Sequence, residues 1–245
     1  MVELRRHRLV RLGTPGWAEL QGRKWHNESG NESGSQSGSE SDSEWDPEAR
    51  ACLAHWAANH LPLVVTRQPK VLPAGVVALG LSAPVQWGRR RIALQVPMHR
   101  VLYFDEFPPA AALAAQLPRR AREPWLQLCA ALARLGVLAR VYGSHGWQYL
   151  TGLGHVQADS DIDLRLCVDG PRMADAAVAL LSGSPLRRPR LDGELAFPDG
   201  REVAWREWQQ WRCGQVERVL VKRVDAVALV DDAAWLDPRL EARRR

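Results

Sequence analysis

The chain has 245 residues, of which 46% are hydrophobic, and a formal net charge of +5, enough to bury one large core or two small ones. No apolar run approaches the roughly 20 residues needed to cross a bilayer, and residues 1–7 (MVELRRH) lack the apolar stretch of a signal peptide, so a cytoplasmic protein with no membrane partner is expected. Cys52, Cys129, Cys167 and Cys213 lie far apart with no C-x-x-C pair, which argues against a disulfide framework or a cysteine-based zinc site.

In chain order, residues 8–12 (RLVRL) read as a strand and residues 13–16 (GTPG) as a turn. Residues 27–44 (NESGNESGSQSGSESDSE) contain no apolar side chain, and such a stretch cannot offset its ordering entropy by burial. We expect a disordered insertion there. It carries a charge of −5, which leaves +10 on the remainder, much of it in arginine clusters such as 89–91 and 187–188. These clusters suit an anionic partner or are simply solvated loops. Asp46-Pro47 starts a helix, with an N-cap and a proline at the first helical position, running to about Asn59. Residues 61–67, 76–81 and 91–96 read as strands. Residues 1–106 are thus expected to form a smaller N-terminal α+β domain.

From residue 107 to 245 the texture becomes one of alternating helices and strands, which predicts a mixed sheet flanked by helices and an α+β class overall. Helices are expected over 109–117, 124–135 (ending at Gly136, a C-cap residue), 145–150, 173–181 and 203–211. Strands are expected over 137–142, 161–168, 191–197 and 219–224. Trp205, Trp208 and Trp211 recur at a spacing that places them on one helix face, which we read as core.

Two short patterns carry chemistry. A strand ending in Gly143-Ser144 and opening a helix leaves free N–H groups at the helix start, which bind phosphate. In a strand, residues i and i+2 share a face, so Asp161 and Asp163 point one way while Ile162, Leu164 and Leu166 enter the core. Paired carboxylates suit Mg²⁺, which takes a few such ligands and completes its shell with water and phosphate oxygens. Asp192 and Glu194 share a face of a further strand, where either is a third metal ligand or a base, unless Asp192-Gly193 is a hairpin turn. Lys222 either reaches a triphosphate or is merely solvated. His145 is expected to be a hydrogen-bonded surface group, and Trp147 either packs or stacks on a base.

The order strand, Gly-Ser, helix, Asp-x-Asp strand resembles the polymerase-β-like nucleotidyltransferase superfamily, although the 16 residues between Ser144 and Asp161 exceed the usual interval. A narrower resemblance accommodates that interval. Residues 141–151 (VYGSHGWQYLT), 160–164 (SDIDL), Asp192-Gly193-Glu194 with 203–207 (VAWRE), Arg6-His7, 62–65 (PLVV) and 79–81 (LGL) resemble the malonate decarboxylase holo-acyl-carrier-protein synthases, or phosphoribosyl-dephospho-CoA transferases. The resemblance spans nearly the whole chain outside 27–44. It implies transfer of 2′-(5″-phosphoribosyl)-3′-dephospho-CoA from its triphosphate precursor, triphosphoribosyl-dephospho-CoA, to a serine of the apo acyl-carrier subunit of malonate decarboxylase, with release of pyrophosphate. It assigns Asp161 and Asp163 as the catalytic metal-holding pair. The alternative is a nucleotidyltransferase acting on a small molecule, an RNA end or a protein hydroxyl. A non-catalytic RNA-binding protein is disfavoured, because only 7% of residues are aromatic and no aromatic-and-basic strand motif is present to stack bases.

Overall fold

The computed structural model describes residues 4–22 and 46–231; the acidic stretch 27–44 lies outside them. Two units of contacting residues emerge, His7–Glu106 and Phe107–Arg245, the latter also containing Met1–Arg6.

The first unit holds a five-stranded sheet. Its strands are β1 (Arg8–Leu12), β2 (Leu63–Val65), β3 (Val76–Ser82), β4 (Arg91–Pro97) and β5 (Val101–Glu106), in the order β4-β3-β2-β1-β5. Every pairing is antiparallel. Alternation along β4 buries Ile92, Leu94 and Val96 and exposes Arg91, Ala93 and Gln95, the pattern of a half-buried strand. Helix α2 (Pro47–Ala58) begins as expected, with the Asp46 side chain accepting from the Ala49 N–H at 3.0 Å. Two expectations fail here. Residues 13–16 do not make a free-standing turn: Thr14 opens α1 (Thr14–Gly22), with Pro15 in the first turn where its missing N–H costs nothing, and Trp17 and Leu20 buried. Strand β5 escaped detection because it is an edge strand with Leu102 and Tyr103 exposed, so no apolar alternation marks it.

The second unit holds a six-stranded mixed sheet. Its strands are β6 (Leu138–Tyr142), β7 (Ile162–Cys167), β8 (Leu191–Ala196), β9 (Glu202–Ala204), β10 (Val219–Lys222) and β11 (Val227–Val230), ordered β11-β10-β9-β8-β7-β6. Only β7–β8 is parallel; the others are antiparallel. The helices are α3 (Arg119–Arg134), α4 (Gly143–Thr151), α5 (Pro171–Ser182) and α6 (Trp205–Arg212). One sheet face is apolar: Val141, Ile162, Leu164, Leu166, Leu191, Leu195, Val203, Val219 and Val221 pack with Trp125, Leu128, Leu132, Val178, Leu181, Trp205 and Trp208 in one core. Trp208 is fully buried and its indole N–H donates to Asp175 at 2.8 Å.

Boundaries differ where tertiary packing overrides local signals. Helix α3 starts five residues before Pro124 because Ala121, Trp125, Leu128 and Leu132 form one buried stripe, and Pro124 is tolerated inside it. The segment after Pro109 is a 3-10 helix (Ala110–Gln116) rather than an α-helix. The 203–211 segment splits into β9 and α6, and β11 is an exposed edge strand. No helix among the described residues is long and apolar enough to cross a membrane.

Candidate active site

The polar face of the second sheet is laid out by register. Tyr142 on β6 is paired with Asp163 on β7, and Asp163 with Asp192 on β8. One row further along, Arg140 is paired with Arg165, and Arg165 with Glu194. Since alternate residues share a face, Tyr142, Asp163 and Asp192 form a first row, and Arg140, Arg165 and Glu194 a second.

The first row meets the start of α4. Gly143 has φ +62, and a methyl group added to it would lie 1.8 Å from Asp163 Oδ2. Glycine at 143 is therefore what lets the Asp163 carboxylate rest against the turn from β6 into α4. No side chain caps that helix start, so its first N–H groups remain available as anion donors, with Ser144 beside them partly exposed.

Asp161 sits just before β7 rather than within it, as expected of a residue at a strand boundary. Its carboxylate is gripped by Arg190, which donates from Nε at 3.1 Å to both oxygens and from Nη2 at 2.5 Å to Oδ2. Arg190 Nη2 also lies 3.9 Å from Asp192 Oδ2. Asp192 stands in a strand, which removes the hairpin alternative; its Oδ1 accepts from the Gly193 N–H at 2.8 Å. Asp161, Asp163 and Asp192 thus gather at one end of the parallel pair.

Glu194 and Lys222 lie elsewhere on the same face. Glu194 is 4% exposed and accepts from Lys222 Nζ at 2.7 Å, with Arg6 at 3.6 Å. Lys222 is neither simply solvated nor directed at the first row. Glu202, almost fully buried, accepts from Arg165 Nε at 2.8 Å and lies 3.5 Å from Arg6 Nε. These ion pairs form a neutralised floor beneath the three aspartates.

Two residues that local pattern did not single out belong to the site: Arg190 and Tyr142. The Tyr142 phenol is pushed well above its ordinary range, first by burial and then by the charges of Glu194, Asp163, Glu202 and Asp192. It therefore stays protonated at neutral pH. The expectation of a surface His145 is overturned. It is 4% exposed, neither ring nitrogen meets hydrogen-bond geometry, and burial lowers its pKa, partly offset by the Ser160 backbone. His145, Gly146 and Trp147 are all buried in the first half of α4, so position in the fold and not a helical face sets the burial of His145. Trp147 packs edge-on against Phe107 at 5.5 Å and stacks with His155 at 6.4 Å, which occupies its faces.

Asp161, Asp163 and Asp192 offer the hard carboxylate oxygens that Mg²⁺ takes, beside a helix start suited to phosphate, but their oxygens do not all lie within 4.8 Å of one another while Arg190 holds Asp161.

A family model described as "Phosphoribosyl-dephospho-CoA transferase MdcG C-terminal domain" matches residues 109–233, and one described as "Phosphoribosyl-dephospho-CoA transferase MdcG N-terminal domain" matches residues 5–107. A phosphoribosyl-dephospho-CoA transferase of Xanthomonas campestris pv. campestris is 36% identical over 200 residues, covering 80% of this chain and 91% of that one. The corresponding protein of Bradyrhizobium diazoefficiens is 36% identical over 189 residues (75% and 79%), and that of Pseudomonas aeruginosa 30% identical over 214 residues (80% and 97%). No solved structure matches. The class is a transferase acting on a nucleotide-like substrate. Within that class, the chain belongs to the phosphoribosyl-dephospho-CoA transferase family.

Proposed function

We propose that this protein transfers 2′-(5″-phosphoribosyl)-3′-dephospho-CoA from triphosphoribosyl-dephospho-CoA to a serine of the apo acyl-carrier subunit of malonate decarboxylase, in the cytoplasm. The observation that carries the mechanism is the placement of Asp163 between Asp192 and the uncapped start of α4. The N–H groups of residues 143–145 and the Ser144 hydroxyl hold phosphate oxygens of the donor. Asp161 and Asp163, with Asp192 beside Asp163, would hold Mg²⁺ once Arg190 gives up Asp161, and the ion would neutralise the triphosphate and the departing pyrophosphate. The serine oxygen forms the new bond to the α-phosphorus, the bond from that phosphorus to the bridging oxygen breaks, and pyrophosphate leaves. The serine proton passes to solvent water. Tyr142 stays protonated and stands in the same row as Asp163 and Asp192. Glu194 and Lys222, already paired, hold the floor rather than the substrate.

The test is the intact mass of the apo carrier subunit after incubation with this protein, Mg²⁺ and the triphosphate precursor. We expect a gain of one phosphoribosyl-dephospho-CoA, absent with Asp163→Asn and absent when Mg²⁺ is chelated. No gain with folded wild-type protein would remove the carrier serine as acceptor and turn attention to small-molecule, RNA-end or other protein hydroxyls.

A further inference from the structure

Arg190 contacts both Asp161 and Asp192 and is largely open to solvent, its side chain 60% exposed. Its backbone is fixed, because the Ile162 N–H donates to the Arg190 carbonyl at 2.8 Å at the head of the parallel pair. Its head group is held only by carboxylates. The hydrogen bond and charge of Asp161 raise its pKa most, with further contributions from Asp192 and Asp163. Arg165 makes the contrast: its side chain is 11% exposed and tied to buried Glu202, so it has nowhere to go.

A guanidinium and a divalent cation compete for the same carboxylate, since each repels the other at short range. A released guanidinium on a long, exposed stem then has planar donors matched to phosphate oxygens. We propose that Arg190 exchanges partners during substrate binding: it yields Asp161 to the incoming cation and donates its N–H groups to the triphosphate that the cation accompanies. Arg190 is then a substrate-binding residue that couples metal and triphosphate binding. This inference rests on the metal-site reading given above.

The exchange predicts opposite signs for two affinities, which a merely structural role does not. In Arg190→Gln, Mn²⁺ alone, followed by its electron paramagnetic resonance signal, binds roughly five- to tenfold more tightly than to wild type, because a competing positive charge is gone. Inorganic tripolyphosphate, titrated calorimetrically at saturating Mn²⁺, binds roughly tenfold more weakly, because the bidentate fork is lost. Arg190→Lys keeps the charge without the fork, so its Mn²⁺ affinity stays near wild type while tripolyphosphate is weakened. Unchanged or weaker Mn²⁺ binding by Arg190→Gln, with a native circular dichroism spectrum, overturns the exchange. So does tighter Mn²⁺ binding with tripolyphosphate affinity unchanged. Asp163→Asn serves as the reference: if it binds Mn²⁺ as wild type does, the metal-site reading itself falls, and the exchange with it.

Discussion

A methyl group at position 143 would collide with the tip of the Asp163 side chain and would force a β-carbon into a left-handed backbone. The two consequences differ in kind. The backbone strain costs about 1–2 kcal/mol. The collision is relieved by moving the Asp163 carboxylate, which has no tolerance for displacement if it holds the reacting metal. Gly143→Ala is therefore expected to stay folded, lose only a few degrees of thermal stability, and lose about a hundredfold or more in transfer rate. A time course of carrier mass gain beside a melting curve checks this, and a variant with near-wild-type rate would show that Asp163 does not work from where it stands. At this scale, strand period and turn chemistry singled out Asp161, Asp163, Gly143 and Ser144 as candidates, and the order of the motifs with the family resemblance gave them their proposed roles. Arg190, Tyr142 and the pairing of Asp192 with Asp163 were not, because they depend on register between strands that no local pattern encodes. Glu194 and Lys222 were identified as charged residues on the right face, but only the neighbouring strands reveal that they neutralise each other.

Among the elements, β7 and β8 carry the site, and their close approach depends on Gly193. A β-carbon there would lie 1.9 Å from the Leu164 carbonyl oxygen and 2.5 Å from the Leu164 nitrogen, in the middle of the sheet. Backbone on both sides cannot yield. Gly193→Ala is expected to separate the parallel pair, costing several kcal/mol, and thus to lower the melting temperature by more than about 10 °C or leave the protein insoluble. A melting curve within a few degrees of wild type would show that β8 can shift without loss. The contrast with position 143 is the point: one glycine makes room for a carboxylate, the other for a strand. The strongly patterned elements, such as β4 with its strict alternation and α2 with its Asp-Pro start, could be read directly. The edge strands β5 and β11 could not, since an edge exposed on both faces has no hydrophobic period, and α1 was hidden by the turn-like appearance of Gly13-Thr14-Pro15-Gly16.

For the molecule as a whole, buried histidines make stability depend on pH. Burial lowers the His155 pKa from 6.5 to about 4, and lowers that of His145. The unfolded chain therefore binds a proton between about pH 6.5 and 4 that the folded chain refuses. Stability is complete above about pH 6.5 and falls as the pH drops through that window. Between pH 7.5 and 5 the loss from His155 is of order 2 kcal/mol. Urea midpoints at the two pH values measure it, and His155→Phe should flatten the difference. Equal midpoints for the wild type would mean that these imidazoles are hydrated in solution.

The single parallel pairing has a consequence for the order of assembly. Antiparallel neighbours can zip from a nearby turn, but β7 and β8 can meet only after the intervening chain, including α5, has been made and has looped back. During synthesis, Asp163 and Gly143 come together early, while Asp192 and Arg190 arrive only once β8 has left the ribosome. A nascent chain stopped before residue 190 would hold two of the three aspartates and lack Arg190, the counter-charge of Asp161. The candidate site is thus completed by the pairing of β8 with β7, while β9, α6, β10 and β11 still follow in the order of synthesis.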